Sequence, residues 1–405
     1  MKAEFYPSGP SVVNPNSFIM LIMRGIIRPL MPKKRFPWLR LLLAAIALYA
    51  AWLAFQAVNY KRYVSDPAAA ASPADGPQPP PQVEIRGAYH VHTTFSDGRK
   101  TVDRVIESAI SAGLDFIILT DHGSPNRRSL AAAGRRNGLL VLAGTEISSS
   151  RGHLVALAFD PPPRRFPQSA EAAAREVRSL GGFTVIAHPF SKTRWSWGGP
   201  DDVYDGLEIM DSDTVLKRNI GQALFRLPLM LIRPRAVLLK IISRPAETLA
   251  RWDRLLAEGP RLGFYSVDAH WMYETAFSLF QIRVLLDRPP DEDFETARGQ
   301  VFEALRAGRF FSAIDAAADP AGFRFWLDGG TLRLRTPFSF AHEARIIQDG
   351  RVVATTTERA FAITAAEPGA YRVEAYLRER SPLGREVPWV ISNPVVVPAG
   401  RKENR

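Results

Sequence analysis

From Ile85 to about residue 315 the chain repeats one pattern, a short apolar run followed by a stretch whose apolar residues recur at helical spacing. Val102, Val105, Ile106, Ala109 and Ile110 fall on one helix face, with Thr101 as N-cap and Gly113 as terminator, and the run 116–119 follows. The unit recurs as a helix over 169–180, Gly181-Gly182 and the run 183–186, with further apolar runs at 139–142, 154–159, 206–210 and 263–267. Such alternation builds a mainly parallel sheet, open or closed as a barrel, because parallel neighbours need long crossovers that helices supply. After about Pro320 the period drops to two: Tyr371, Val373, Ala375 and Leu377 alternate with Arg372, Glu374, Tyr376 and Arg378. With turn signals at Asp349-Gly350 and Pro368-Gly369, a separate antiparallel β-sandwich is expected over 320–405, packing or spacing rather than doing chemistry.

The ionisable residues cluster where those runs end. His90-Val91-His92 places two imidazoles on one side of an extended segment, a two-toothed grip for a metal. Asp97 follows in a turn that Gly98 permits. Asp121-His122 comes just after one strand, Glu146 after the next, His153 opens another, His188 follows the run 183–186, and Asp268-Ala269-His270 closes the run 263–267. Residues at successive strand ends converge at one mouth of an α/β fold. A lone histidine is usually structural, but six of the seven here follow the pattern, and only His342, read as a surface residue, is left over. Oxygen and imidazole donors without sulfur suit Zn, Mn or Fe, and so many exceed the needs of one ion, so two or three are expected.

In the order H-V-H-T-T-F-S-D-G, L-T-D-H, G-T-E, G-H-L, I-A-H-P-F, D-G-L-E and D-A-H, these motifs resemble those of the PHP (polymerase and histidinol phosphatase) family over roughly residues 85–315. The resemblance implies a distorted seven-stranded (β/α) barrel with a trinuclear metal centre that hydrolyses phosphoesters. It would put His90, His92, Asp97, His122, Glu146, His153, His188, Asp268 and His270 on the metals and leave Asp121 behind them, orienting a ligand. Val267 stands where the family often has Ser, and Ala88-Tyr89 replace the commoner acidic-Leu pair; neither change removes a ligand.

Charge and hydropathy bear on location. The net charge is +11, but residues 1–62 hold nine basic residues against Glu4 alone, so that segment carries +8 and the rest only +3. A broad nucleic-acid surface is therefore not expected. Leu41 to Tyr60 is uncharged and about 20 residues long, enough to cross a bilayer once. Lys33, Lys34, Arg35 and Arg40 before it, against Lys61 and Arg62 after it, favour an inside N-terminus and a periplasmic or extracellular body. Its length favours an uncleaved anchor over a signal peptide, and Met31 offers an alternative start. The organisation expected is a basic segment (1–40), a span (41–60), a Pro/Ala-rich linker (61–83), a hydrolase domain (84–319) with an insertion at 215–245, and the β-sandwich (320–405). The insertion mixes Leu, Ile, Phe and Met with cations and is expected against the membrane surface.

The chemistry expected is attack on a phosphomonoester or phosphodiester by a hydroxide bridging the metals, which needs no protein nucleophile and suits a chain without cysteine. Arg127, Arg128, Lys192 and Arg194, in loops after ligand-bearing strands, are candidates to clamp the phosphate, and the substrate would be a phosphorylated small molecule or lipid derivative. Two rival readings are a nuclease acting on oligonucleotides, which the nearly neutral body disfavours, and a metal-bearing binding or scaffold module, which an intact ligand set disfavours.

Overall fold

The computed structural model describes residues 37–58, 78–190, 195, 197–336, 338, 340, 342–365, 367–379 and 381–399. The basic N-terminal segment up to residue 36, most of the linker, and Lys192 and Arg194 lie outside the described residues. Helix α1 (Pro37–Val58) begins four residues before the expected Leu41, with Pro37 in its first turn, where a missing N–H costs no hydrogen bond. Its segment Trp38–Ala57 is long and apolar enough to cross a membrane, and none of it is buried in the protein.

The body is a mixed α/β fold. Strands β1 (Val83–Val91), β2 (Phe116–Leu119) and, beyond the short β3 (Gly134–Arg136), β4 (Leu139–Ala143) pair in parallel in the order β1-β2-β4. A second sheet orders β5 (Thr145–Ser149), β6 (Gly152–Leu157), β7 (Phe183–Ile186), β8 (Gly206–Asp211) and β9 (Leu262–Ser266), with β7, β8 and β9 parallel. Isolated bridges between His122 and Glu146 and between Val91 and Ala269 tie the two sheets together. The apolar run at 154–159 is not a crossover strand. It is the second arm of a β5–β6 hairpin, because only Ser150 and Arg151 separate the two strands and so short a link joins antiparallel neighbours alone.

Every second residue of these strands enters one apolar cluster: Ile85 and Tyr89, Phe116 and Ile118, Leu140 and Leu142, Val155 and Leu157, Phe183 and Val185, Leu262 and Phe264. Their alternates, such as Ile117, Val141, Ala156 and Leu207, pack outward into the larger cluster shared with the helices. Those helices are α2 (Val102–Ser111), α3 (Arg127–Ala131), α4 (Ala170–Ser179), α5 (Ser212–Arg218), α6 (Ile220–Phe225), α7 (Leu227–Ile232), α8 (Pro234–Ile241), α9 (Ala246–Glu258), α10 (Tyr273–Leu279) and α11 (Phe294–Arg306). Strand β8 breaks the apolar rule on its inward side, where Gly206 and Glu208 stand in the alternation.

Strands β10 (Phe280–Leu286) and β11 (Phe310–Ile314) extend the first sheet antiparallel from β1. The later strands are β12 (Arg324–Asp328), β13 (Thr331–Arg335), β14 (His342–Gln348), β15 (Arg351–Thr356), β16 (Ala360–Thr364), β17 (Gly369–Leu377), β18 (Val390–Ser392) and β19 (Val395–Val397). They are antiparallel, as their period of two implies. Strands β12, β13 and β16 form a sheet of their own, whereas β18 pairs with β11 and makes β14, β15 and β17 continuous with the first sheet. His342 is not a surface residue: it is buried, with Nε2 bonded to the Thr336 hydroxyl at 2.8 Å and Nδ1 to the Phe340 carbonyl at 3.1 Å.

Candidate metal centre

All nine residues expected as ligands meet at the ends of β1, β2, β5, β6, β7 and β9. Glu146 is the hub. Its Oε2 lies 3.2 Å from His90 Nε2, 3.1 Å from His92 Nε2 and 3.3 Å from His122 Nδ1. Its Oε1 lies 2.8 Å from His153 Nδ1 and 3.1 Å from His188 Nε2. Asp268 Oδ1 stands 3.4 Å from the Nε2 atoms of both His90 and His92, and Asp97 reaches His122 at 3.6 Å and His270 at 3.3 Å. Four overlapping groups could each hold an ion: His92/Asp97/His122/His270, His90/Glu146/His188, His90/His92/Asp268 and His122/Glu146/His153. His90, His92, Glu146 and Asp268 form a buried floor, and Asp97, half exposed, stands at the rim.

The two imidazoles of the H-x-H motif do not converge by simple strand alternation. His90 has φ +72° and sits in a bulge where the β1–β2 register shifts between Tyr89 and Val91. His188 and Asp268 also have positive φ, +30° and +41°. Left-handed backbone at a non-glycine residue costs about 1–2 kcal/mol, and such strain gathers where a side chain must be aimed. Gly98 is required for a different reason than a turn conformation: a Cβ there would lie 2.6 Å from the His92 carbonyl, so only glycine lets the Asp97 loop fold back on His92.

Asp121 is fully buried and meets no imidazole. Its carboxylate accepts from Thr93 N at 2.7 Å, Ser96 Oγ at 2.7 Å and Ser129 Oγ at 2.6 Å. Ser96 Oγ lies 3.2 Å from Asp97 and 3.3 Å from His92 Nδ1, so Asp121 is linked to these two candidate ligands through the Thr93–Gly98 loop. Arg127 and Arg128 are on α3 rather than in a loop, because Asn126 caps that helix through Ser129 N. Arg127 donates to the Pro162 and Pro163 carbonyls, and Arg128 lies over the Phe95 ring at 4.2 Å.

Glu208 was not among the expected site residues. It is buried, accepts from His90 Nδ1 at 2.6 Å and from the His188 backbone N–H at 2.7 Å, and so aims His90 Nε2 at the cluster. The sequence signal was the D-G-L-E motif, whose Glu falls inside the apolar strand G-L-E-I-M-D, where burial of a charge requires a partner. Three residues on, Asp211 caps α5 through Thr214 N at 2.6 Å, and burial, with Asp268 and Glu208 nearby, raises its carboxyl to about 7.

The carboxylates dominate the electrostatics. Burial works against a charge on His90, yet Glu208, Asp268 and Glu146 hold its pKa well above the ordinary value. For His188 burial again opposes, and Glu146 foremost lifts it to about 9. Glu146 and Asp268 are held low despite their burial, in both cases chiefly by His90. The cluster thus demands compensating positive charge. His92 Nε2, His122 Nδ1 and Asp268 Oδ1 are buried with no hydrogen-bond partner, although other polar atoms stand 3.1 to 3.4 Å away. Donor atoms that face one another without bonding fit a set of divalent cations.

Residues 88–175 match the family model of the PHP domain. No curated protein matches in sequence. Among solved structures, a two-domain protein containing a predicted PHP-like metal-dependent phosphoesterase, from Bacteroides vulgatus, is 14% identical with a TM-score of 0.41, covering 84% of this chain and 99% of that one. An amidohydrolase from Chromobacterium violaceum, solved with sulfate and no metal, is 16% identical with a TM-score of 0.30, covering 45% of this chain and 87% of its own. Identities and scores this low carry no argument about activity. The family match falls on the segment that supplies His90, His92, Asp97, His122, Glu146 and His153, so it is the metal-site half of the body, residues 88–175, that is similar to the PHP domain.

Proposed function

We propose that this chain is a metal-dependent phosphoesterase, anchored by α1, with its metal centre on the periplasmic or extracellular side. The observation that carries the reading is the trio of buried, unpartnered donor atoms on His92, His122 and Asp268 inside a nine-residue cluster. Without sharing a residue, the donors offer His92/Asp97/His122/His270 beside His90/Glu146/His188, or His90/His92/Asp268 beside His122/Glu146/His153, which supports two or three ions of Zn, Mn or Fe. Strands β1, β2, β4, β6, β7 and β9, which line the inner apolar cluster, together with β8 between β7 and β9, support a distorted seven-stranded barrel as the frame.

Bound divalent ions would lower the pKa of water toward neutrality and offset the charge of a phosphoryl group. The chain's own residues supply the rest. Glu208 holds the Nδ1 proton of His90, so that Nε2, which faces Glu146, would be the atom offered to an ion. Asp121 holds the loop that carries Asp97, and the Tyr273 hydroxyl fixes the His92 carbonyl at 2.9 Å. The substrate is a phosphomonoester or phosphodiester of a small molecule or lipid derivative. The test is a panel of such esters with the metal-reconstituted full-length protein in detergent. Metal-dependent release of phosphate or alcohol from at least one is expected. A loaded protein inert on both ester classes would return the chain to the binding-module reading.

A further inference from the structure

The segment between β8 and β9 is not one unit. Within it, α8 buries Ala236, Val237, Leu238, Leu239 and Ile241 and packs against α10 of the body. Helices α6 and α7, in contrast, leave Ile220, Leu224, Phe225, Leu227, Leu231 and Ile232 exposed, the last two at 77% and 78%. Apart from α1, the other exposed large apolar side chains among the described residues are scattered: Ile110, Trp271, Val352, Val353 and Val396. Six within one short stretch make a patch of the kind that soluble surfaces avoid.

That patch is not free in space, because it leans on α1. The Phe225 ring packs on Tyr49 and Trp52 at 5.3 and 5.4 Å, and the Tyr49 hydroxyl donates to the Phe225 carbonyl. The Arg226 guanidinium lies over Trp52 at 5.3 Å, and Arg233 Nη1 donates to the Ala57 carbonyl at 2.9 Å, one of the last carbonyls of α1 that lack a helical partner. Tyr49 and Ala57 are eight residues apart, or about 12 Å along the axis at 1.5 Å per residue. Arg233 therefore marks the end of the apolar segment, while Phe225 lies about 12 Å further along it, most of the way through one leaflet whose hydrocarbon is about 15 Å deep.

We propose that α6 and α7 form an arm sunk into the lipid of the leaflet nearest the metal centre, with acyl chains covering its apolar side and lipid phosphates meeting the cations at its base. The inference rests on α1 crossing a bilayer, as in the proposed function. Lipid is the occupant because the α1 segment Trp38–Ala57 is wholly unburied, so whatever surrounds it also surrounds what leans on its end. Charge agrees. No Asp or Glu occurs between Asp213 and Glu247. Lys217 and Arg218 pair with those two acids, and Arg226 is held over Trp52 with Nη1 on the Gln222 carbonyl, whereas Arg233, Arg235 and Lys240 at the base have no carboxylate partner among the described residues. Arg233 at the end of the span is placed where a long cationic side chain reaches the head groups. Since Asp211, the cap of α5, stands three residues beyond Glu208, the arm grows from the rim of the metal centre and fixes its distance from the membrane.

The absence of cysteine makes the test direct. Leu224→Cys, Leu231→Cys, Leu48→Cys in α1 and Val353→Cys in β15 are each labelled with an environment-sensitive fluorophore. The full chain is then placed in vesicles of phosphatidylcholine with a minority of phosphatidylglycerol. Nitroxide lipids should take most of the emission from labels at 48, 224 and 231, with the label at 224 answering best to nitroxides deep in the acyl chains and that at 231 to those near the head group. The label at 353 should answer to aqueous iodide instead. If 48 is quenched by lipid nitroxide while 224 and 231 answer to iodide, the arm is in water and the inference fails although the anchor stands. If 48 is also silent to lipid, the anchor reading falls and takes the arm with it. Labels at 224 and 231 shielded from both quenchers would mean that protein, such as a second copy of the chain, covers the patch, and would overturn the lipid assignment.

Discussion

Replacing Glu208 by Gln removes a charge and almost no volume, so it isolates what that carboxylate does for His90. In the parent, both Glu208 oxygens accept, one from His90 Nδ1 at 2.6 Å and one from His188 N at 2.7 Å, in a fully buried setting. A glutamine can keep only one acceptor. With its oxygen on His188 N, its amide faces Nδ1 as a donor, which moves the imidazole proton to Nε2, the atom 3.2 Å from Glu146 and 3.4 Å from Asp268. The donor needed by an ion is then blocked. Partners behind a metal ligand are worth about 10–100-fold in affinity or activity, which is roughly 1.4–2.8 kcal/mol. Zn or Mn affinity of the full-length protein, read by competition with a fluorescent chelator, should therefore fall by about that factor. Phosphoester turnover should fall with it, while the thermal midpoint of the chelator-treated protein shows that the fold survives. Affinity within about twofold of the parent in a folded variant would refute the orientation of His90 by Glu208.

Three further outcomes follow from the same geometry. His188→Ala or Asp268→Ala should lower turnover by at least about a hundredfold, since losing a ligand removes several kcal/mol of transition-state stabilisation; unchanged turnover would mean that another site is being measured. Gly98→Ala places a methyl 2.6 Å from the His92 carbonyl and should push Asp97 away, reducing bound metal with little loss of fold; metal content equal to the parent's would contradict the close approach. The metal-free protein should weaken as pH rises: His188 is raised to about 9 in the fold, so its contribution, on the order of 3 kcal/mol, is complete below about 6.5 and lost through about 9. Metal loading should strengthen over the same range because ions need neutral imidazoles, and chelator-treated protein that melts higher at about pH 9.5 than at about pH 6 would contradict the sign.

The convergence of the candidate residues was legible because strand ends are encoded locally: an apolar run stops, and the polar residue after it is thereby placed at the mouth. That holds for His122, His188 and Asp268. It fails for Glu208, which lies within a buried strand and is placed by its inward alternation, a property that only the sheet pairing reveals. The H-x-H motif pointed to two imidazoles that do converge, but by the wrong route, since a bulge with positive φ at His90, not an unbroken pleat, sets their directions. The period-two pattern after Pro320 identified the strands but not their partner; the β18–β11 pairing joins residues about eighty positions apart and leaves no local trace. His342 shows the same limit, because its burial depends on Thr336 and on the aromatic packing of Phe338 and Trp389 around it.

The proposed function requires that these imidazoles and carboxylates hold metal. Elemental analysis of the purified full-length protein, as isolated and after reconstitution with Zn or Mn, tests it most directly, with His90→Ala/His92→Ala alongside. At least two transition-metal ions per chain are expected in the parent, with the double variant depleted. No more than trace metal in the parent after reconstitution would contradict the account, whatever phosphoesters were tried.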